Sequence, residues 1–314
     1  MTDIQARLRA AAFGADLAVS DAVLAEAAEP GEPGEPGEPG EARTRWLAAV
    51  VLGGRGDYAR AAALLEPLLA CRDVVVASLA ASALGSHRRQ LGGHANARVL
   101  DAAALRAIAG VAAGDRRRDP ADPDGPADPD GIDVAGAFAD ALLGLAADAL
   151  ALGRQREARA LLARMATRTS SGWRTRVRHA WVSAEVELAA GDARSARPHA
   201  ERAVTLAAEH GGTRHVLKSD LVLAAALSTA DTADTSARVI ALAAQVRDET
   251  RKLGLYPLTW PATLLLADAK GTDDAAAASE LRQEAVSIVH ALLRRADPLG
   301  RSLARASPWV PNVG

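Results

Sequence analysis

Aromatic residues are scarce in this chain: they fill 3% of its 314 positions, although hydrophobic residues fill 49%. Alanine and leucine make up the difference. A sheet core draws on β-branched and aromatic side chains, so this composition favours helices packed closely through small residues. The single cysteine, Cys71, excludes an intramolecular disulfide and a cysteine-rich zinc site. It is expected to pack as a small apolar residue. The opening Met1-Thr-Asp-Ile-Gln-Ala-Arg carries no basic segment followed by an apolar run, so no secretory signal is visible. No apolar run is read as approaching the ~18–20 residues that cross a bilayer. These absences lead to the expectation of a cytoplasmic protein that does not enter a membrane.

Signatures of catalysis and cofactor binding are missing too. There is no Gly-x4-Gly-Lys-Ser/Thr loop, no Gly-x-Ser-x-Gly elbow and no His-Glu-x-x-His pair. Gly54-Arg-Gly56-Asp-Tyr-Ala59 has the glycine spacing of a dinucleotide site, but its Ala- and Leu-rich flanks read as helix where that site needs a strand. Asp122-Pro-Asp124-Gly125 and Asp128-Pro-Asp130-Gly131 suggest calcium loops. Pro120 and Gly131, then Pro126 and Ala137, occupy the positions where an EF-hand needs acidic ligands. His87, His94, His210 and His215 show no metal-ligand spacing. The expectation is a non-enzymatic protein with no cofactor and no metal.

The net charge is −2, but it is unevenly spread. Residues 29–41 and 119–133 contain five Glu and six Asp and no Lys or Arg. Taking those 11 from 39 acidic residues leaves 28 against 37 basic ones, about +9 for the rest of the chain. A basic folded part with acidic inserts suits an acidic partner, or the inserts serve solubility alone. No helix-turn-helix or aromatic-interleaved basic stretch marks a nucleic-acid site.

The chain divides at these inserts. Residues 1–28 read as an N-terminal helical segment, broken near Gly14 or Ser20-Asp21. Residues 29–41, a Glu-Pro-Gly repeat, read as a disordered linker. Residues 42–295 carry helical periodicity, interrupted by an Asp-Pro-rich insert at 115–133. Near its end, Trp260-Pro261 is expected to open a helix. Residues 296–314 read as a tail. Within 42–208 a unit recurs: an amphipathic helix, a turn glycine, and a second helix with small residues on its inner face. The turn glycines are Gly56, Gly92, Gly153 and Gly191, spaced by 36, 61 and 38 residues, or 42 for the long interval without its 19-residue insert. Such a period marks a helical repeat array.

These units resemble tetratricopeptide repeats. Leu84-Gly85 matches the first-helix pair of that pattern, and Gly56-Asp57-Tyr58 with Ala61 matches its turn and second helix. Ala97, Ala158 and Ala196 each follow a turn glycine by five residues, where the pattern needs a small side chain, and Ala203 matches the next such position. Most units lack the turn tyrosine, and none ends in the usual proline. The resemblance covers 42–208 well and 214–295 loosely. It implies an all-α fold, a right-handed superhelical array of antiparallel helix pairs, an α-solenoid whose first helices line a concave groove.

Aligned on the turn glycines, Trp46, Ser82, Ser86, Arg89, Gln90, Arg178, Trp181 and Glu185 fall on that groove face, with His215 and Lys218 continuing it. Arginine forks and indole faces suit a peptide carboxylate or an acidic side chain. The competing reading is that the arginines form a solvated face and the tryptophans pack between repeats. The leading expectation is therefore a scaffold that binds a protein or peptide in its groove. The alternative is a regulatory module that senses a small anionic ligand or meets nucleic acid through its basic surface.

Overall fold

A computed structural model describes residues 3–28, 39–111, 128–166, 172–229, 233–271 and 274–311. Among them are fifteen helices and no strand. Two lead the chain, α1 (Asp3–Phe13) and α2 (Asp21–Glu26). Six antiparallel pairs follow: α3 (Pro39–Arg55) with α4 (Tyr58–Leu68), α5 (Val74–Gln90) with α6 (His94–Ala109), and α7 (Val134–Ala151) with α8 (Gln155–Ala166). Then come α9 (Trp173–Ala189) with α10 (Ala193–His210), α11 (Thr213–Leu227) with α12 (Ala233–Lys252), and α13 (Tyr256–Lys270) with α14 (Ala275–Arg294). A short α15 (Pro298–Ala306) closes the chain.

The turns explain where the pairs fold over. Gly56, Gly92, Gly153 and Gly191 all sit at positive φ, between 73° and 82°. A left-handed residue just past a helix satisfies its last carbonyls, and glycine adopts that shape without a Cβ clash. At Gly92 the space matters as well: a Cβ would lie 1.9 Å from Ser307 Oγ. Aspartates then start several helices. Asp73, Asp133, Asp192 and Asp274 each accept a first-turn amide of α5, α7, α10 and α14, a cap worth about 1 kcal/mol. Ser20 caps α2 in the same way, and α1 stops just before Gly14. Ala61, Ala97, Ala158, Ala196 and Ala203 have no exposed surface. They let the two helices of a pair approach closely.

The odd-numbered helices α3, α5, α7, α9, α11 and α13 touch in succession, and the even-numbered ones lie behind them. The array curls until α13 meets α3. A seam closes the two ends: Ala59 N donates to Arg295 O at 2.8 Å, and Tyr58 and Leu91 pack with Val289, Leu292, Leu293 and Ala304. The first pair thus lies against the last.

Several sequence expectations are corrected. The linker reading of 29–41 overreaches at its end, since Pro39, Gly40 and Glu41 belong to α3; residues 29–38 lie outside the described residues. Residues 115–127 of the insert reading of 115–133 also lie outside them, but its final residues are packed. Asp130, Ile132 and Asp133 are buried. Asp128 and Asp130 bind Arg9 of α1 at 2.6 and 2.5 Å, and Asp130 Oδ1 accepts from Trp173 Nε1 at 2.9 Å. Partners from two other helices, absent from any local pattern, hold this segment. The tail reading of 296–314 fails for α15, where Ala304 is buried and Asp297 pairs with buried Arg88. Helix α13 opens at Tyr256 with Pro257 in its first turn, so Pro261 lies inside it. Finally, α7 is long and apolar enough to cross a membrane, contrary to the sequence reading, yet 78% of it is buried among the other helices. Its hydropathy reflects a central place in the fold.

Candidate functional site

A cavity of about 700 Å³ lies within the curl of the array. Each inner helix turns one stripe of side chains toward it, at the three- and four-residue spacing that keeps positions on one face. From α9 come Arg174, Arg178, Trp181 and Glu185; from α11, Arg214, His215, Lys218 and Leu221; from α5, Ser82, Ser86, Arg89 and Gln90. Helix α3 gives Trp46 and α7 gives Asp140, Leu143 and Ala147. Phe13 and Trp309 reach the cavity from opposite ends of the chain. All ten residues placed on the groove face by sequence line this cavity.

Their side chains are not equally available. Arg89 does not stand free. Its Nη1 lies 2.6 Å from Asp101 Oδ2, 2.9 Å from Asp148 Oδ2 and 3.3 Å from Gly144 O. Both aspartates have no exposed surface, and His94 Nδ1 lies 3.4 Å from Asp148. Gly144 makes the room: a Cβ there would fall 2.3 Å from the Asp101 carboxylate. Burial pushes Asp101 up to about 7; Arg89 opposes this and the Asp148 charge adds to it. Burial works against the Arg89 charge, but the two carboxylates outweigh it and shift that group upward. Arg89 is a brace between α5, α6 and α7. The sequence showed only its helix face, and its partners lie 12 and 59 positions away.

Other polar side chains are similarly engaged. Gln90 accepts from Tyr58 Oη at 3.1 Å and donates to Ser86 O at 3.3 Å. Lys218 pairs with Glu185 at 3.2 Å. Trp181 Nε1 donates to Ser219 Oγ at 2.8 Å. Trp46 is buried against Phe13, with ring centroids 6.0 Å apart. His215 stacks on Trp181 and meets Trp173 edge-on. Burial, followed by Arg214, Arg174 and Arg178, holds the His215 imidazole well below its usual range, so the ring is neutral. His210 stacks on the other indole contact, Trp173, at 3.7 Å. His87 meets Tyr58, and burial with nearby Arg214 lowers it to about 3. Among the described residues no three His, Cys, Asp or Glu side chains gather as a metal set.

Three arginines crowd one end of the cavity. Arg174 gives Nε to Asp130 O and Nη1 to Asp140 Oδ2, each at 2.8 Å. Arg178 pairs with the other oxygen of Asp140. Burial depresses Arg178, Asp140 opposes this, and Arg174 and Arg89 add to it. Arg214 lies beside them near Gly54, where a Cβ would sit 3.4 Å from its Nη1. Among the described residues no ion pair and no hydrogen bond reaches its guanidinium. Burial lowers Arg214, Tyr58 opposes this, and Arg178 and Arg174 lower it further. Its open side borders the cavity and a hollow of about 20 Å³.

Sequence reasoning missed Arg174 and Arg214. Each lies four residues before a residue that it did place, Arg178 and Lys218. Extending those two stripes by one helical turn finds both. Phe13 and Trp309 had no such signal. Comparison with protein-family models and with curated proteins finds no match to this chain.

Proposed function

We propose that this protein is a non-enzymatic receptor, a tetratricopeptide-like helical array that binds a small-molecule ligand in its central cavity. The cavity itself carries this reading. About 700 Å³ falls within the roughly 300–1,000 Å³ range of ligand pockets, which are mostly apolar with a few directed polar groups. Here Leu143, Ala147, Val182, Leu221 and Leu258 supply the apolar wall, and Arg178 and Arg214 the directed groups. Most other polar side chains at the wall are spent on structural pairs, which suits binding better than catalysis. The repeat-like pairing and small helix contacts support the tetratricopeptide likeness; the curl replaces an open groove.

The protein or peptide scaffold is the second reading. It is favoured by Trp309, 60% exposed where the closing segment borders the cavity, and by Leu299, 45% exposed on α15. Apolar side chains left in solvent beside a binding site suit a partner chain.

The test fills the cavity. Ala147→Phe should keep the helical circular dichroism spectrum while abolishing ligand-induced gains in melting temperature across a chemically mixed library. A ligand at 100 times its Kd should stabilise the natural chain by about 2.7 kcal/mol. Library ligands that stabilise both forms equally would place binding outside the cavity. A protein partner captured equally well by both would favour the scaffold.

A further inference from the structure

We infer that the cavity takes a phosphomonoester on an apolar body, with Arg214 and Arg178 clamping its doubly charged phosphate. This rests on the receptor reading and adds the ligand's chemistry. At one end of the cavity Arg174, Arg178 and Arg214 bring three positive charges, and Asp140, bound to two of them, brings one negative charge. The surplus is +2. The histidines nearby, His87 and His215, are buried and add nothing to it. Lys218 is balanced by Glu185. Arg89 faces two carboxylates, Asp101 and Asp148, and so adds no positive charge.

Arg178 and Arg214 are half-buried, and a charge partly withdrawn from bulk water gains from a counter-charge or hydrogen bonds. Arg214 has neither among the described residues, and its neighbours Gly54, Tyr58, Arg174 and Arg178 supply none. All five donors of its fork are open, and Arg178 has committed one nitrogen to Asp140. Both forks line the same cavity, near enough for the Arg178 charge to act on Arg214, and arginine binds phosphate oxygens bidentately. A phosphate monoester offers these forks three terminal oxygens and up to two charges, where a carboxylate offers two oxygens and one charge. Arg214 and Arg174 further lie in the first turns of α11 and α9, where the helix dipole favours an anion. The cavity is far larger than a phosphate. The wall of Leu143, Ala147, Val182, Leu221 and Leu258 is left for the body of the ligand.

The test uses four probes: phenyl phosphate, inorganic phosphate, benzoate and phenol. Binding is read by calorimetry and melting temperature on the full chain and on Arg214→Gln. Phenyl phosphate should bind at least tenfold more tightly than benzoate or inorganic phosphate, and phenol should give no shift. Arg214→Gln should weaken phenyl phosphate by thirtyfold or more. Without ligand that variant should melt at the same temperature as the natural chain or higher, because it loses an uncompensated charge. Arg214→Lys should recover part of the binding. If Arg214→Gln melts lower without ligand and binds phenyl phosphate unchanged, Arg214 is a brace and the inference fails. Benzoate binding as tightly as phenyl phosphate removes the double charge. Phenol binding as tightly removes the anion altogether, yet leaves the receptor reading intact. If no probe binds while library ligands still respond to Ala147→Phe, the inference alone falls; if those ligands also fail, both do.

Discussion

Arg174 and Arg214 hold the same place in successive pairs, the second residue of α9 and of α11. One is consumed by the fold and the other is left open. Arg174 meets Asp130 O, Gly131 O and Asp140. Those partners exist because the chain after the acidic insert folds back over the start of α9. The start of α11 is covered differently. There Thr213 N donates to Gly14 O at 3.1 Å and Thr213 Oγ1 to Ala15 O at 2.8 Å. The segment after α1 offers carbonyls to Thr213 and no carboxylate to Arg214. An identical residue at an equivalent position is therefore a strut in one pair and, among the described residues, an unpaired cation in the next. The difference comes from what lies across the helix end.

The largest effect should come from breaking the strut. Arg174→Ala leaves one oxygen of Asp140 and two carbonyls buried without their donor, although Arg178 keeps the other oxygen. It should cost about 3–5 kcal/mol in urea unfolding. The matching change at Arg214 should cost close to nothing. Equal costs at the two positions would erase the distinction between them.

Arg89 belongs with Arg174. Arg89→Ala should destabilise by about 2–4 kcal/mol, somewhat less than Arg174→Ala because Asp101 can take up a proton once its counter-ion is gone. Ligand affinity per folded molecule should not change. A variant that stays stable but loses binding would return Arg89 to the role that the sequence suggested.

The smallest effect concerns pH. Asp101 titrates near 7 in the fold against 3.8 ordinarily. Its contribution to stability is present in full below about 4 and is lost as pH rises to about 7. His87 runs the other way. It titrates near 3 against 6.5, so its contribution grows as pH rises through that window. The two oppose each other in the natural chain. Asp101→Asn removes the falling part, and stability should then rise more steeply between pH 4.5 and 6.5, by on the order of 1–2 kcal/mol. Denaturation midpoints at those two pH values measure it. An unchanged slope would mean that Asp101 is ionised throughout.

Periodic features of the fold were legible in the sequence. The turn glycines announced the pairs because a left-handed helix end needs that residue. Small residues five positions on announced close contacts, and all of them are fully buried. The inner stripe followed from helical spacing, which is why Trp46, Arg178, Trp181 and Lys218 were placed on one wall. Pairing was not legible. Arg89 and Arg214 look alike along the chain, and only folding brings Asp101 and Asp148 to the first and, among the described residues, no carboxylate to the second. Sequence-distant coverings escaped for the same reason. Nothing near Asp128 or Asp130 points to Arg9, about 120 positions earlier. Nothing near Trp309 marks it as a wall of the cavity.

The seam between Ala59 and Arg295 bears on how the molecule comes apart. In an open helical array each unit leans only on its neighbours, so the two terminal units have one neighbour each and fray first. Here α13 lies on α3, and Tyr58 and Leu91 share a core with Val289 and Leu292. The terminal pairs have neighbours on both sides, as the interior pairs do. Cooperativity that an open array accumulates from one unit to the next is here tied at both ends. Among the described residues the paired helices α3 to α14 thus form a closed run, and opening of that seam is expected to precede fraying of either terminal pair.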